Sequence, residues 1–482
     1  MADPSSSLTN VATKPVNILI VGYGEIARLA HLPVLESRRD AVVLGLVDPK
    51  FSDDEGAFIP KDPWTRKQNC ESELGSQLNS DHHNTTTAKS FNNLLQPLKF
   101  TTVKDAFEYF HGDIQAVSIC TPKSATISVA WGVIKFATSK SESQHSMHHH
   151  LIGIFLEKPP GEDASELQRL VEYGTSRGIS MFTGCHTTVC PARQVIDSWL
   201  FGDKDKDNNI NPHQNCDADE KVLTRTLESI NITWKENVRK WHPGHSWISK
   251  ESGGGVTDML FNPLSLVISI FGLTLEKTKH SLPDSDRISD EVTNHERSVT
   301  LMKANLVRPC NWEAPISGMA ELLTNIPYKD QRTCSSGLMK VPIFAEFAFD
   351  YEPACNGGSS NDCEKGEEVW DIEFFESFSG SNGIIKHNCL KVTEGGAQAF
   401  IGSQKMTSEP TADYPLQPEY VTLYDQFFEL LQRNEMQKIE GAGKSSLTQN
   451  RNAPSIVDCT TMDLLKELLQ LATYTDSPRF DF

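Results

Sequence analysis

Short apolar runs alternate with amphipathic stretches along the first 190 residues of the chain. The apolar runs include VNILIV, AVVLGLVD, IQAVSIC, GIFLE and ISMFTG. The stretches between them, such as SATISVAWGVIKFA and DASELQRLVEYGTSRG, have the spacing of helices with one apolar face. This alternation predicts buried parallel strands with helices on the faces of the sheet.

The pattern changes beyond about residue 190, where polar and apolar residues alternate with period two. Segments of this kind are LESINITWKE, ERSVTLMKANLV, ISGMAELLT, VPIFAEFAFDY, EVWDIEFFES and LKVTEGGAQAFIG. They predict an open, mainly antiparallel sheet. VTLYDQFFELLQR and CTTMDLLKELLQLATY predict two C-terminal helices, with Asp458 as the N-cap of the second.

We therefore predict an α/β domain over residues 15–190, followed by an α+β domain over residues 191–482. Residues 1–14 are predicted to form a disordered tail. Polar insertions are predicted near residues 51–97, 137–150, 203–220, 354–367 and 436–453.

A glycine-rich turn follows the first apolar run. In VNILIVGYGEIARLAHL, Gly22, Gly24 and Ala27 form a G-x-G-x-x-A pattern between a strand and a helix-like stretch. The first glycine permits a tight turn, the second lets backbone N–H groups approach a pyrophosphate, and the small third residue lets helix and strand pack closely. The pattern predicts a Rossmann dinucleotide-binding domain with the pyrophosphate at the helix N-terminus. The alternative is a glycine turn in an unrelated α/β protein.

The second predicted strand ends in Asp48. A carboxylate there accepts hydrogen bonds from the adenosine ribose and repels a 2′-phosphate, which favours NAD over NADP as the cofactor. Further cofactor contacts are expected at the start of the first helix and after the fourth and fifth strands. The expected cofactor-binding set is Gly22, Gly24, Glu25, Ile26, Asp48, Thr121, Pro122, Glu157 and Lys158.

Composition narrows the class of protein. Lys and Arg total 45 against 64 for Asp and Glu, so the formal net charge is −19 and no nucleic-acid partner is expected. No secretory signal or membrane-spanning apolar run is predicted.

The 11 cysteines are scattered, with Cys120 and Cys310 in runs that look internal, which favours reduced thiols in a cytoplasmic protein. The histidines His148–His150 lie in a polar stretch, and no metal is assigned to them.

Lys158 lies at the carboxyl end of the strand in GIFLEKPP, the edge at which open α/β sheets bind ligands. An ammonium there can bond a sugar oxygen. Near a cationic nicotinamide in a partly dry pocket, its pKa is expected to fall towards the range useful for proton transfer. The alternative is an exposed lysine at a turn.

Two segments of the second domain carry further candidate chemistry. KENVRKWHPGHSWI contains Glu236, Trp241 and His242, a mixture suited to sugar recognition, although a capped turn with surface polar groups would look similar. In SGGGVTDMLFNPLSLVISIFG, Asp258 and Asn262 share one face of an otherwise apolar helix. Such groups are costly to bury without partners, which favours a site. A first-turn or N-cap role for Asp258 is the alternative.

The glycine turn, the Thr-Pro pair after the fourth strand, the Glu-Lys-Pro after the fifth and the glycine-rich helix start resemble the glucose–fructose oxidoreductase / inositol dehydrogenase / MocA family. KENVRKWHPGHSWI, GVTDMLFNPLSLV, NWEAPI, IFAEFAFDY, VWDI, GGAQAFIG and PEYVTLYDQFFELL look like its D-galactose / L-arabinose 1-dehydrogenase branch. The similar blocks cover most of residues 15–475 outside the insertions.

The resemblance implies an NAD(P)-dependent enzyme that oxidises the anomeric hydroxyl of an aldose to a lactone. By matching position, it implies that Lys158 and Asp258 handle the anomeric proton and that Asn262, Glu236 and His242 hold sugar oxygens. Neither the resemblance nor the spacing decides which of Lys158 and Asp258 is the base; we favour Asp258, with Lys158 as its electrostatic partner. The family also implies a homo-oligomer, either a dimer or a tetramer.

Two other functions fit the same sequence. One is a catalytically silent sugar- or nucleotide-sensing regulatory protein, and the other is a family oxidoreductase that acts on another polyol or a dihydrodiol. Thr126 stands where a histidine is common in the family, which leaves the identity of the substrate open. Retention of Lys158, Asp258 and Asn262 favours an enzyme over a sensor.

Overall fold

The computed structural model describes residues 14–52, 96–110, 112–138, 150–189, 193, 225–238, 246–275, 297–329, 336–350, 369–378, 384–393, 396–398, 400–401, 404–405, 417–439 and 454–480. The chain divides into two compact units. Unit 1 comprises residues 1–121, 128–156 and 174–181, and unit 2 comprises residues 122–127, 157–173 and 182–482. Most of the predicted polar insertions lie outside the described residues.

A six-stranded sheet forms from the first part of the chain. Its strands are β1 (Val16–Val21), β2 (Ala41–Val47), β3 (Leu98–Phe100), β4 (Ala116–Ile119), β5 (Gly153–Glu157) and β6 (Ser180–Gly184). The order is β3-β2-β1-β4-β5-β6, and the pairs from β3 to β5 run parallel. In this doubly wound order, ligands bind outside the carboxyl ends of the strands where the order reverses, next to β1 and β4. The predicted Rossmann sheet is confirmed.

Helices connect these strands, as the sequence predicts. They are a π-helical turn (Ala27–His31) that continues as α1 (Leu32–Glu36), then α2 (Val103–Phe110), α3 (Lys123–Thr138) and α4 (Ala164–Ser176). Pro33 has no backbone N–H to donate, and the wide π-helical turn lies N-terminal to it. Asp163 caps α4, since its Oδ1 accepts the backbone N–H groups of Ser165 and Glu166.

A nine-stranded mixed sheet forms the second part of the chain. Its strands are β7 (Arg225–Asn237), β8 (Thr274–Leu275), β9 (Ser298–Pro309), β10 (Ser317–Lys329), β11 (Ser336–Asp350), β12 (Val369–Phe378), β13 (Ile384–Thr393), β14 (Gly396–Gln398) and β17 (Thr473–Ser477). The order is β14-β13-β12-β7-β11-β10-β9-β17, with β8 also on β9. The pairs β7–β11, β9–β17 and β8–β9 are parallel and the rest antiparallel. The predicted, mainly antiparallel sheet is confirmed.

The segment LKVTEGGAQAFIG is not the single strand that its alternation predicts. It contributes instead to β13, to the short β14 and to β15 (Phe400–Ile401), which pairs with β16 (Gln404–Lys405) in a separate two-stranded sheet. The glycine pair inside the segment lowers its strand propensity at the point where β13 ends.

Three helices accompany this sheet: α5 (Val256–Phe271), α6 (Gln417–Ile439) and α7 (Pro454–Leu471). Nearly every residue of α5 is buried, and the helix contacts β7, β10, β11 and α7. Residues Glu251–Phe271 are long and apolar enough to cross a membrane, but 94% of the apolar window is buried inside the protein, as in a core helix.

Two local predictions are wrong. Asp458 lies inside α7 and is not its N-cap, because the helix already begins at Pro454, a residue favoured at a first helical position. Cys310 is exposed because it follows the end of β9, whereas Cys120, after β4, is buried as predicted.

Candidate active site

The glycine turn in unit 1 has a geometry that only glycine permits at its first position. Gly22 has a φ of 87°, and a Cβ added there would lie 2.6 Å from the carbonyl oxygen of Cys120. A Cβ at Gly24 would meet nothing within 4 Å, so this side of the turn is open. An open approach to backbone N–H groups at a helix start fits the pyrophosphate of a dinucleotide.

Asp48 holds this turn to the end of β2. Its Oδ2 accepts the backbone N–H of Tyr23 at 2.8 Å, and its Oδ1 accepts that of Lys50 at 2.9 Å. A carboxylate has about four acceptor sites, so two remain for ribose hydroxyls. Glu25 and Ile26 lie half-buried where the first helix begins. Contact of these residues with a cofactor stays a prediction.

Unit 2 contains the Glu-Lys-Pro segment that follows the body of β5. Glu157 is buried, and one carboxylate oxygen accepts the hydroxyl of Tyr420 from α6, while the other accepts the backbone N–H of Lys158 at 2.8 Å. Both oxygens of Glu157 are therefore engaged within the protein. Glu157 fixes the backbone from which the Lys158 side chain extends.

Lys158 lies among carboxylates. Burial lowers the pKa of its ammonium, but the charges of Asp258, Glu157 and Glu236 together raise it more, so the net pKa is above the ordinary value of a lysine. This direction holds for the protein without a nicotinamide, and the expected fall of the pKa beside a bound nicotinamide stays a prediction. A lysine with a raised pKa stays protonated at neutral pH and acts as a cation, not as the group that accepts a proton.

Asp258 and Asn262 lie one turn apart near the start of α5, and both are buried, at 6% and 5% exposure. Gly255 occupies the N-cap position, and the Asp258 carboxylate makes no hydrogen bond within the part of the chain that the structure describes. Asp258 is therefore a first-turn acid without a capping role. The Asn262 Oδ1 is buried and also has no partner among the described residues.

Glu236 lies near the end of β7 and is buried. Its Oε1 accepts the indole N–H of Trp234 at 2.9 Å, which fixes the orientation of the carboxylate. Trp241 and His242, the other predicted sugar contacts, lie outside the described residues. The structure thus brings Lys158, Asp258 and Glu236 close enough for their charges to interact, and their roles stay predictions.

Sequence reasoning missed two residues in this cluster. Lys123, the first residue of α3, interacts electrostatically with Asp258. His186 follows β6 and is buried, and burial together with the charge of Lys158 lowers its pKa to about 3, so the imidazole is neutral. Its ring stacks against Tyr420 with centroids 6.4 Å apart. Both residues follow strands of the six-stranded sheet, as Lys158 does, so the rule that ligands bind at the carboxyl ends of these strands points to them too.

Buried hydroxyl and thiol groups also contact α5. The Cys185 Sγ lies 2.9 Å from the Ser265 Oγ, and the Thr187 hydroxyl donates to the backbone carbonyl of Asn262 at 3.0 Å. Burial raises the pKa of the Cys185 thiol to about 11, so the thiol stays protonated and inert. This network fixes the backbone of α5 at Asn262.

The buried carboxyl group of Asp458 is expected to make the stability of the folded protein depend on pH. It is 1% exposed, neither oxygen has a partner at hydrogen-bond distance among the described residues, and burial raises its pKa from 3.8 to about 7, with Thr183 opposing the shift. The folded state therefore binds more protons than the unfolded state between these values, and stability falls as the pH rises through this window. Asp458→Asn is expected to raise the free energy of unfolding above pH 7 by up to about 4 kcal/mol.

The measurement is thermal unfolding of Asp458→Asn and the unmodified protein at pH 4.5, 6 and 8. The gain should be largest at pH 8 and smallest at pH 4.5, because protonated aspartic acid and asparagine are both neutral. Asp463→Asn, in the same helix, is the matched control. A gain that does not depend on pH would contradict this account of Asp458.

No family model matches the chain. A segment of 54 residues is 52% identical to a galactose 1-dehydrogenase of Pseudomonas fluorescens; it spans 11% of this chain and only 17% of that protein. The structure resembles the crystal structure of a D-galactose-1-dehydrogenase protein from Rhizobium etli, with a TM-score of 0.54 and 22% identity over 98% of this chain and 99% of that one.

A second solved structure with this fold is a 3-ketoreductase from Actinomadura kijaniata in complex with NADP and TDP-benzene. The TM-score is 0.53 and the identity 11%, over 96% of this chain and 100% of that one. At these identities the structures establish the fold alone. The 54-residue segment and the overall fold are thus both similar to galactose dehydrogenases, the branch that the sequence motifs resemble.

Proposed function

We propose that the protein is an NAD(P)-dependent oxidoreductase that oxidises the C1 hydroxyl of an aldose, such as D-galactose or L-arabinose, to the lactone. The observation that carries the proposal concerns two residues of unit 2. Asp258 is a buried carboxylate that makes no hydrogen bond among the described residues, and its charge helps to keep Lys158 in the charged form. The names of the relatives support the same class of reaction.

The chemistry divides between cofactor and protein. A bound nicotinamide dinucleotide supplies the acceptor for the hydride that leaves C1. Asp258 accepts the proton of the anomeric hydroxyl, and the ammonium of Lys158 stabilises the negative charge that develops on that oxygen. The unpaired Oδ1 of Asn262 accepts a hydrogen bond from a second sugar hydroxyl. His186, being neutral, adds no positive charge that would compete with Lys158.

The test is to mix the purified protein with NAD or NADP and a panel of aldoses, polyols and a dihydrodiol, and to follow the absorbance of reduced cofactor. Reduction with D-galactose or L-arabinose, and a lactone as product, is expected. Reduction only with a polyol or dihydrodiol would favour the alternative substrate. Dinucleotide binding without reduction by any compound would favour the sensor.

Cofactor preference is expected to depend on Asp48. Asp48→Ser should relax the preference for NAD, because the charge that opposes a 2′-phosphate is lost. It should also weaken the binding of both cofactors, because the Tyr23 N–H loses its acceptor. Asp48→Asn, which keeps one carbonyl oxygen, is the control. The check is the ratio of kcat/KM for NAD and NADP, and a preference for NADP in the unmodified protein would contradict the prediction.

A homo-oligomer is part of the proposal. One face of the nine-stranded sheet exposes Met302, Met319 and Phe344 beside a shallow groove of about 250 Å³, which Lys303 and Glu321 also line. Apolar and oppositely charged side chains on one sheet face suit an isologous contact between two copies. Light scattering compares the mass in solution with the 53.7 kDa of one chain. Location in the cytoplasm and the absence of nucleic-acid or membrane partners remain predictions.

A further inference from the structure

Lys123 is a cation in unit 2 to which the resemblance assigns no role. It is the first residue of α3, and its ammonium lies against the turn that precedes α5. A Cβ built on Gly254 would lie 2.2 Å from the Lys123 Nζ. The ammonium therefore occupies a notch that exists because residue 254 has no side chain.

The turn around this notch is built from glycines. Gly254 and Gly255 have φ values of 74° and 53°, a region that residues with a side chain rarely adopt. A Cβ at Gly255 would lie 2.1 Å from the carbonyl oxygen of Pro315. The backbone is thus fixed where Lys123 meets it, four residues before Asp258.

The ammonium of Lys123 has unused hydrogen-bonding capacity. It makes no hydrogen bond and no ion pair within 4 Å in the part of the chain that the structure describes, and only the charges of Asp258 and Glu162 act on it. Burial lowers its pKa more than these two charges raise it. An ammonium carries three donors, and at this half-buried residue none of the three is used within the described part of the chain.

The charge around the two lysines selects the class of ligand. Lys123 and Lys158 are surrounded by the carboxylates of Asp258, Glu157, Glu236 and Glu162. Among the described residues, negative groups therefore outnumber positive ones, which disfavours a phosphate or a carboxylate on the ligand. A neutral hydroxyl oxygen can accept from an ammonium without this repulsion.

We propose that Lys123 is a specificity-determining residue that donates a hydrogen bond to a hydroxyl of a neutral sugar, from the notch at Gly254 beside Asp258. This inference rests on the proposed function. Asp258 and Lys158 act on the anomeric hydroxyl, and Lys123 holds a different hydroxyl of the same molecule. A sugar that carries a carboxylate or phosphate in place of that hydroxyl should be a poor substrate.

The test compares Lys123→Met with the unmodified protein, using D-galactose as the probe. Loss of a hydrogen bond from a charged donor is expected to raise KM roughly ten- to hundredfold. The change in kcat should be smaller, because the groups at C1 remain. Lys135→Met, at the other end of the same helix, is the matched control, since Lys135 is exposed and should leave both constants unchanged.

Deoxy sugars distinguish a direct contact from a structural role. The unmodified protein should lose kcat/KM with one of 2-deoxy-, 3-deoxy-, 4-deoxy- or 6-deoxy-D-galactose, and Lys123→Met should show no further loss with that same sugar. An equal loss with every sugar would overturn the proposal, as would unchanged constants. Gly254→Ala, which fills the notch, should also raise KM; thermal unfolding checks that it folds.

Failure of the proposed function gives a different result. If the unmodified protein neither reduces a cofactor with D-galactose nor binds it in a calorimetric titration with NAD present, both proposals are contradicted. If the unmodified protein oxidises D-galactose and Lys123→Met behaves identically, only the inference about Lys123 fails. Preferred oxidation of D-galacturonate over D-galactose would contradict the selection of a neutral sugar.

Discussion

Replacing Asp258 with Ala is expected to lower kcat by about 10²- to 10⁴-fold, the contribution of a positioned general base. Binding of the dinucleotide should remain nearly unchanged, because the predicted glycine turn and Asp48 belong to unit 1 and Asp258 to unit 2. The measurements are the initial rate of cofactor reduction and the quenching of protein fluorescence by NAD.

Two further variants test whether the lower kcat of Asp258→Ala comes from the loss of the proton acceptor. Asp258→Asn keeps the shape of the side chain but cannot accept the proton, so its kcat should fall about as far as that of Asp258→Ala. Glu251→Ala removes an exposed acid just before α5 and should leave kcat unchanged. An Asp258→Ala variant that retains most of its activity would refute the role of this carboxylate.

Replacing Lys158 with Met is expected to lower kcat by about two orders of magnitude or more, the order found when one donor to a developing oxyanion is removed. The variant should also be less stable at neutral pH. Its three neighbouring carboxylates, Asp258, Glu157 and Glu236, would lose the cation that offsets their charges. Melting temperatures and kcat together test both effects.

The loss of stability expected for Lys158→Met depends on pH. The pKa of Lys158 is higher in the folded protein than in the unfolded chain, so its charge stabilises the fold below the unfolded value of 10.5 and ceases to do so as the pH rises through the folded value. Lys158→Met should therefore have a lower melting temperature at pH 7, with a smaller difference at strongly alkaline pH. Lys158→Arg should recover stability more than kcat, because the charge returns without the position of the ammonium.

The local features of the fold could be predicted from the sequence. The turn at Gly22 and Gly24 is specified within a few residues, and the strand periods of the second domain are visible in single segments. The burial of α5 follows from its apolar sequence in the same way. Register and strand order in the second sheet depend on contacts between distant segments, and the parallel pair β7–β11 joins strands more than 100 residues apart.

The electrostatics of the candidate site could not be predicted in the same way. The pKa of Lys158 rises because Asp258 and Glu236 approach it from two other elements, and no spacing in the sequence encodes that meeting. The place of Lys123 after β4 follows from the sequence, but its contact with Gly254, which is far away in the chain, does not. Asp258 can be predicted as a site residue because an acid on an otherwise apolar helix stands out in the sequence itself.

The sensor alternative predicts a different use of the same residues. A sensor needs polar groups that bind its ligand, but it needs no group that accepts a proton from that ligand. In unit 2 the carboxylate of Asp258 and the Oδ1 of Asn262 both lack hydrogen-bond partners among the described residues. Such groups are expected where a ligand completes the hydrogen bonds and a proton must move.

The most direct measurement is transfer of the C1 hydrogen. The protein is incubated with D-galactose labelled with deuterium at C1 and with NAD, and the reduced cofactor is isolated and analysed by mass spectrometry. Oxidation at the anomeric carbon predicts one deuterium in the reduced nicotinamide and none with sugar labelled elsewhere. Reduced cofactor without deuterium, or bound NAD that is never reduced by this sugar or by L-arabinose, would contradict it.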